Sequence, residues 1–280
     1  MNLQPHFSII VAVYNRAATL QRCIDSVVNQ TYPRKELIIV DGGSTDGSVD
    51  ILRQNEHLID YWESKPDRGI YHAFNKGIDH ARGEWIYFLG SDDYLIEPEV
   101  MSRVARNLMT CEPEIRIVYG KAAIVSRDGL VLATQGEDYE RTKRKLHKFM
   151  PICHQGIFHR RSLFESGGGF DESFRVLGDY ELLLRELKDR PAKFMADTIV
   201  AAIQLGGAST RPAEALIVPM EEARARKLNG FPVHPPAWLW VLIKAFGRYS
   251  IHRSMGHKAF CRIGDFYRQL TGRPPVWTKM

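Results

Sequence analysis

Phe7-Ser8-Ile9-Ile10-Val11-Ala12-Val13 is a nearly unbroken apolar run, the pattern of a strand covered on both faces. Polar Tyr14-Asn15-Arg16 follows, and Leu20, Ile24, Val27 and Val28 then recur at helical spacing up to a stop before Pro33. Residues 36–40 read as a second strand, ending in Asp41-Gly42-Gly43-Ser44-Thr45-Asp46-Gly47, and a helix runs through Val49, Ile51 and Leu52. Residues 59–63 read as a third strand. After the turn Lys65-Pro66-Asp67-Arg68-Gly69, a helix carries Ile70, Phe74, Ile78 and Ala81 on one face, and residues 84–89 form a fourth strand. This alternation of strand and helix predicts a parallel sheet with right-handed crossovers.

The pattern changes after about residue 115, where apolar segments at 115–126 and 130–134 flank Arg127-Asp128-Gly129, a hairpin signal. Residues 153–159 read as a strand, 180–187 as a helix, and 193–205 as one or two strands. The glycine-rich residues 206–212 predict a mobile loop, and helices at 214–228 and 236–246 close the chain. We therefore expect one domain over 1–230, with halves at 1–115 and 116–230, and a helical extension over 231–280.

The 280 residues are 44% hydrophobic and 25% charged, as in an ordinary globular enzyme. A net charge of +5 fits anionic substrates or an anionic membrane surface, and no aromatic-studded basic module for nucleic acid is present. Cys23, Cys111, Cys153 and Cys261 are widely spaced, which favours reduced thiols in a cytoplasmic setting over disulfides or a zinc knuckle. The first residues lack the basic and apolar regions of a signal peptide, so no export is expected. No apolar run reaches the roughly 20 residues of a spanning helix. Trp238-Leu239-Trp240-Val241-Leu242-Ile243 with Lys244, Arg248, His252 and Arg253 can lie in a membrane interface or pack on the core.

The chemistry concentrates at strand ends. Phe88-Leu89-Gly90-Ser91-Asp92-Asp93 puts two adjacent carboxylates where ligands bind in open α/β sheets. Carboxylates so placed need a cation, donors or protons, and a divalent ion that satisfies them also grips a diphosphate. The alternative is a surface Asp-Asp turn. Gly42 and Gly47 have P-loop spacing, but Ser48 stands where the lysine should be and there is no GxGxxG, which disfavours nucleoside triphosphatases and dinucleotide dehydrogenases. Asp41 can accept from a base or ribose, with Ser44 or Thr45 capping the next helix. His154 can orient an acceptor, add to a metal site or be a core histidine. Asp171-Glu172 reads as a helix or turn cap. Asp179, at a helix start after a glycine that lets a substrate approach, can be a general base or an N-cap.

Ser8-Ile9-Ile10-Val11-Ala12-Val13-Tyr14-Asn15, Ser26-Val27-Val28-Asn29-Gln30-Thr31-Tyr32, Val40-Asp41-Gly42-Gly43-Ser44-Thr45-Asp46-Gly47, Asn75-Lys76-Gly77, Ala81-Arg82-Gly83-Glu84 and Leu89-Gly90-Ser91-Asp92-Asp93 together resemble family 2 glycosyltransferases. The match runs in order over roughly residues 7–100. His154-Gln155, Gly168-Gly169-Phe170-Asp171 and Asp179-Tyr180-Glu181-Leu182-Leu183-Leu184-Arg185 are similar to members that assemble bacterial exopolysaccharide or lipopolysaccharide repeat units.

The resemblance implies the GT-A fold, a Rossmann-like α/β architecture with a mixed central sheet flanked by helices. It also implies inverting transfer from a nucleotide-diphospho-sugar, of the UDP class, to a glycan or polyprenyl-diphosphate-linked acceptor at the inner membrane face. Val13, Tyr14, Asn15, Arg16, Asp41, Arg68, Asn75, Ser91 and Asp92 become donor-binding positions. Asp93, with Asp92, becomes the ligand of Mn²⁺ or Mg²⁺, and Asp179 the catalytic base. Gly42 departs from the second Asp common in the first motif, and Gly178 from the Glu that often precedes the base. The QxxRW motif of processive members is absent, so one sugar is expected per encounter. A catalytically inactive sugar-nucleotide-binding scaffold would have lost Asp93 or Asp179. A nucleotidyltransferase would want a glycine-rich, basic loop after the first strand, where Tyr14-Asn15-Arg16 stands.

Overall fold

The computed structural model describes residues 4–126, 128–204, 214–233, 235–272 and 275–279. The first half contains β1 (Phe7–Val13), α1 (Ala17–Val28), β2 (Lys35–Asp41), α2 (Ser48–Gln54), β3 (Tyr61–Ser64), α3 (Ile70–His80), β4 (Trp85–Gly90), β5 (Tyr94–Leu95) and α4 (Val100–Met109). The second half contains β6 (Ile117–Val125), β7 (Val131–Gln135), α5 (Tyr139–Leu146), β8 (Ile157–Arg160), α6 (Ser162–Gly167), α7 (Gly178–Leu187), β9 (Ala192–Gln204), α8 (Ile217–Leu228) and α9 (Pro235–Leu270).

A single mixed sheet runs through both halves in the order β3-β2-β1-β4-β8-β6-β9-β5, with β7 paired to β6. The β1–β2, β1–β4 and β2–β3 pairings are parallel. The apolar run of β1 is explained by its two covered faces. Phe7, Ile9, Val11 and Val13 pack with α1 and α4, whereas Ile10 packs with α3 and α7 on the other side. Gly77 allows this contact, since a Cβ there would fall 2.4 Å from Ile10 Cγ2. Ala81-Arg82-Gly83-Glu84 also proves structural. The Glu36 carboxylate accepts from the Ser8 hydroxyl and the Arg82 amide, and Gly83 N–H donates to Ser8 Oγ at 2.8 Å.

The sheet also sets the site's position. Ala12 lies beside Gly90, and Val13 beside Asp41, so the loops after β1, β2 and β4 emerge together. Strand β8 is antiparallel to β4 and therefore begins at that same edge. Antiparallel β6 and parallel β9 bring Gln135, at the end of β7, and Gln204 to the same region.

Several sequence expectations need correction. Residues 154–156 form a 3₁₀ turn rather than the start of a strand, because β8 pairs only from Ile157. The third strand begins at Tyr61. Residues 193–204 belong to one long strand, with register shifts against β6. The last predicted helix continues past Phe246 to Gly256 (φ 77°), where only glycine is at ease, and a second helical segment of α9 follows it to Leu270. Ser44 and Thr45 do not cap α2. Gly47 holds the cap position, and Asp46 accepts from Ser48 N–H (3.0 Å) and Ala17 N–H (2.9 Å). The predicted mobile loop at 206–212 lies outside the described residues.

Candidate active site

A cleft of about 1120 Å³ opens at this sheet edge and draws on both halves of the chain. Val13, Tyr14, Asn15 and Arg16 form one wall with Gly42 and Asp67. Ser91, Asp92 and Asp93 form its floor, and His154, Gln155, Arg175 and Asp179 line the opposite side.

The first wall is tied down by backbone contacts. Asn15 adopts a left-handed conformation (φ 53°), which asparagine tolerates better than most residues. Its N–H donates to Ser44 Oγ (2.8 Å), and its side-chain oxygen accepts from Thr45 N–H (2.9 Å). Arg16 N–H donates to Ser48 Oγ at 2.9 Å. Tyr14 stays 62% exposed at the mouth, free to stack on a planar group.

Asp41 is fully buried. Its carboxylate accepts from Gly43 N–H (3.0 Å), Ser44 N–H (2.9 Å), Ser64 Oγ (2.6 Å) and the Ser44 hydroxyl. It organises the loop behind the wall and is not among the cleft-lining residues. Asp67 reaches the cleft beside it, and a Cβ on Gly42 would lie 2.5 Å from Asp67 Oδ2. The small residue at 42 thus makes room for a carboxylate from another loop.

Helix α1 steadies the acidic floor. Thr19 Oγ1 donates to Ser91 O (2.9 Å), and Arg22 Nη2 donates to Asp92 O (3.2 Å). Asp92 lies 3.7 Å from Arg16 Nε. Asp93 is 3% exposed and accepts from Gln155 Nε2 (2.8 Å) and Gln204 N–H (3.3 Å). Burial, and then the neighbouring Asp92 charge, holds its carboxyl well above the usual range. Gly90 permits this turn, because a Cβ there would meet Asp93 Oδ2 at 2.4 Å. Among the described residues no three metal-ligating side chains converge. The donor set nevertheless fits a hard divalent ion, since two adjacent carboxylates repel at the end of a cleft large enough for a diphosphate to complete the coordination.

On the opposite side, Asp179 lies in the first turn of α7. The cap position is Leu177, so Asp179 is not the N-cap. Its Oδ1 accepts from Tyr180 N–H (2.8 Å) and Tyr71 Oη (3.2 Å), while Oδ2 lies 3.6 Å from His154 Nδ1. Burial raises the carboxyl's pKa, opposed by His154 and the hydrogen-bond donors. Burial likewise lowers the pKa of His154, which packs against the rings of Phe74 and Phe88 with no hydrogen-bond partner at either ring nitrogen. Gly178 does not leave room for substrate as expected. A Cβ there would fall 2.8 Å from the Tyr71 ring.

Arg68 and Asn75 fall away from the cleft lining. Arg68 pairs with Glu172. Asn75 donates to Phe170 O (2.9 Å) and Glu172 Oε1 (3.0 Å) and accepts from Phe170 N–H (2.8 Å), which staples α3 to the glycine turn. Asp171 caps that turn through Ser173 N–H (2.9 Å). Asp67, Tyr71 and Gln155 were missed as site residues by sequence reasoning. Only the Gly42 departure and the position of Gln155 beside His154 signalled them.

Residues 8–167 match the family model described as Glycosyl transferase family 2. A "PGL/p-HBAD biosynthesis glycosyltransferase" of Mycobacterium bovis is 37% identical over 213 residues, covering 73% of this chain and 79% of the relative. Hyaluronan synthase of Pasteurella multocida is 31% identical over 66% of this chain but only 19% of its own length. Among solved structures, S. aureus TarS 1–349 with UDP-GlcNAc superposes with a TM-score of 0.62 at 18% identity, covering 94% of this chain and 77% of that 1–349 chain. Mannosyltransferase PcManGT from Pyrobaculum calidifontis, with GDP-Man and Mn²⁺, gives 0.62 at 18% identity over 99% and 83% of the two chains. The sheet, the cleft and these likenesses converge on one assignment: the chain is a glycosyltransferase of family 2 with the GT-A fold.

Proposed function

We propose that this enzyme transfers one sugar per encounter from a nucleotide-diphospho-sugar, of the UDP class, with inversion at the anomeric carbon. The acceptor is a hydroxyl of a glycan or polyprenyl-diphosphate-linked saccharide at the cytoplasmic membrane face, in cell-surface polysaccharide assembly. The observation that carries this reading is the shared cleft, with an acidic floor at Asp92-Asp93 and a buried carboxylate, Asp179, on the other wall.

In this reading Tyr14 stacks on the base, while Asn15, Arg16 and Ser91 border the nucleoside and diphosphate. Asp41 acts by fixing the loop that meets the base. Asp93, with Asp92, would hold Mn²⁺ or Mg²⁺, which supplies positive charge to stabilise the departing diphosphate. Asp179 takes the proton of the acceptor hydroxyl as its oxygen bonds to the anomeric carbon and the carbon–diphosphate bond breaks. Tyr71 and His154 position that carboxylate. Arg68 and Asn75 support the donor pocket from behind, through Glu172 and Phe170.

The test is a donor screen followed by product analysis. Transfer from one UDP-sugar with the opposite anomeric configuration in product, lost in Asp179→Asn, supports the proposal. Retention of configuration, or full activity in Asp179→Asn, would refute it.

A further inference from the structure

The net positive charge of this chain lies in α9, two helical segments joined at Gly256. Helix α9 carries Lys244, Arg248, Arg253, Lys258, Arg262 and Arg268 against a single acid, Asp265, so it accounts for the entire net charge of +5 and the rest of the chain is balanced. Asp265 is buried, with its carboxylate consumed by Val276, Trp277 and Thr278 N–H groups at 2.7–2.9 Å. Every other charged side chain of α9 is a cation.

Ala245, Phe260 and Cys261 are buried, but a second set of apolar side chains in α9 is uncovered. Leu239, Ile243 and Phe246 follow one another at helical spacing and are each more than half exposed. Beyond Gly256, Phe266, Tyr267 and Leu270 repeat the pattern with Ile263. Trp240, 58% exposed, lies against Lys244, whose Nζ is 5.3 Å from the ring centroid. No helix among the described residues is long and apolar enough to cross a membrane.

We infer that α9 is an in-plane docking surface for an anionic lipid bilayer. An apolar stripe flanked by cations fits an interface where acyl chains lie beneath negative headgroups. A second copy of this chain fits poorly, because a symmetric contact would oppose two cationic helices. The attachment links the surface to the site. Trp238 Nε1 donates to Pro219 O of α8 (3.1 Å), and Glu221 of α8 accepts from the Arg175, Val176 and Leu177 N–H groups in the cleft wall. Docking through α9 would hold the Asp179 side of the cleft to the lipid surface. This inference does not depend on the transfer reaction proposed above.

The experiment is vesicle co-sedimentation of the full chain with phosphatidylcholine alone and with phosphatidylcholine–phosphatidylglycerol. Binding should be at least about tenfold stronger to the anionic vesicles and fall with salt. Lys244→Ala should weaken it about fivefold, the effect of one surface cation. Leu239→Ser/Phe246→Ser should abolish it while nucleotide binding is retained, which shows the fold intact. Brominated lipid should quench tryptophan emission in wild type and less in Trp240→Phe. Equal binding to both vesicles, no binding to either, or a lipid-free dimer dissolved by Leu239→Ser/Phe246→Ser would overturn the inference, the last in favour of a protein partner.

Discussion

The Gln155 side-chain amide donates a 2.8 Å hydrogen bond to Oδ2 of Asp93, joining a turn of the second half to the acidic floor built by the first. This bond fixes which way the buried Asp93 carboxylate faces. In Gln155→Leu the carboxylate loses a donor, and a hydrogen bond to a charged group contributes on the order of 1.5–3 kcal/mol. Mn²⁺-dependent UDP affinity should fall at least about tenfold. Calorimetry checks this, and unchanged affinity would remove Gln155 from the site.

Asp179→Asn should lower kcat by about 10²–10⁴, the usual contribution of a positioned base, with UDP affinity unchanged. The rate should also rise with pH, because only ionised Asp179 accepts a proton, and its midpoint should lie above the ordinary aspartate value that burial displaces. His154 opposes that displacement, so His154→Phe should move the midpoint to higher pH. A pH–rate profile of both proteins decides this. An unmoved midpoint would make His154 a core residue only.

Tyr71 and residue 178 compete for one space. Gly178→Glu, which restores the residue often found before the base, must push the Tyr71 ring aside. Overpacking of this kind costs about 1–3 kcal/mol, and Tyr71→Ala in the same chain should recover part of it. Urea midpoints of the single and double variants measure the coupling.

His159 is buried against Phe88 and Phe164, and burial drives its pKa down to about 3. A histidine depressed in the folded state favours unfolding as pH falls below its unfolded value of about 6.5. Its contribution is fully present above that pH and is lost at up to about 1.4 kcal/mol per unit between there and about 3. His154, also lowered by burial, adds to the slope. His159→Leu should flatten the dependence of unfolding free energy on pH between 6.5 and 5, measured by urea titration.

Much of the first half was legible because parallel strands covered on both faces announce themselves as apolar runs, and their carboxyl ends are chemically loaded. Phe7–Val13 and Trp85–Gly90 are such strands, and Asp92-Asp93 follows the second. The carboxylate at 179 was legible through its motif, but its Tyr71 and His154 partners were not, since they meet it only through packing of α3 and the 3₁₀ turn. Arg68 and Asn75 show the converse. The resemblance assigns them to the donor pocket, yet they bond Phe170 and Glu172 and do not line the cleft. Asp67 was hidden because its role depends on the missing side chain at Gly42, a relation between two loops that no periodicity encodes.

The central claim, a cleft that grips a nucleoside diphosphate through Asp93 and a divalent ion, is tested most directly by calorimetric titration. UDP, GDP and dTDP would each be titrated with and without Mn²⁺, against wild type and Asp93→Ala. Tight Mn²⁺-dependent binding of UDP to the wild type, lost in Asp93→Ala, is the predicted result. Absence of binding by every nucleotide in both conditions would contradict it.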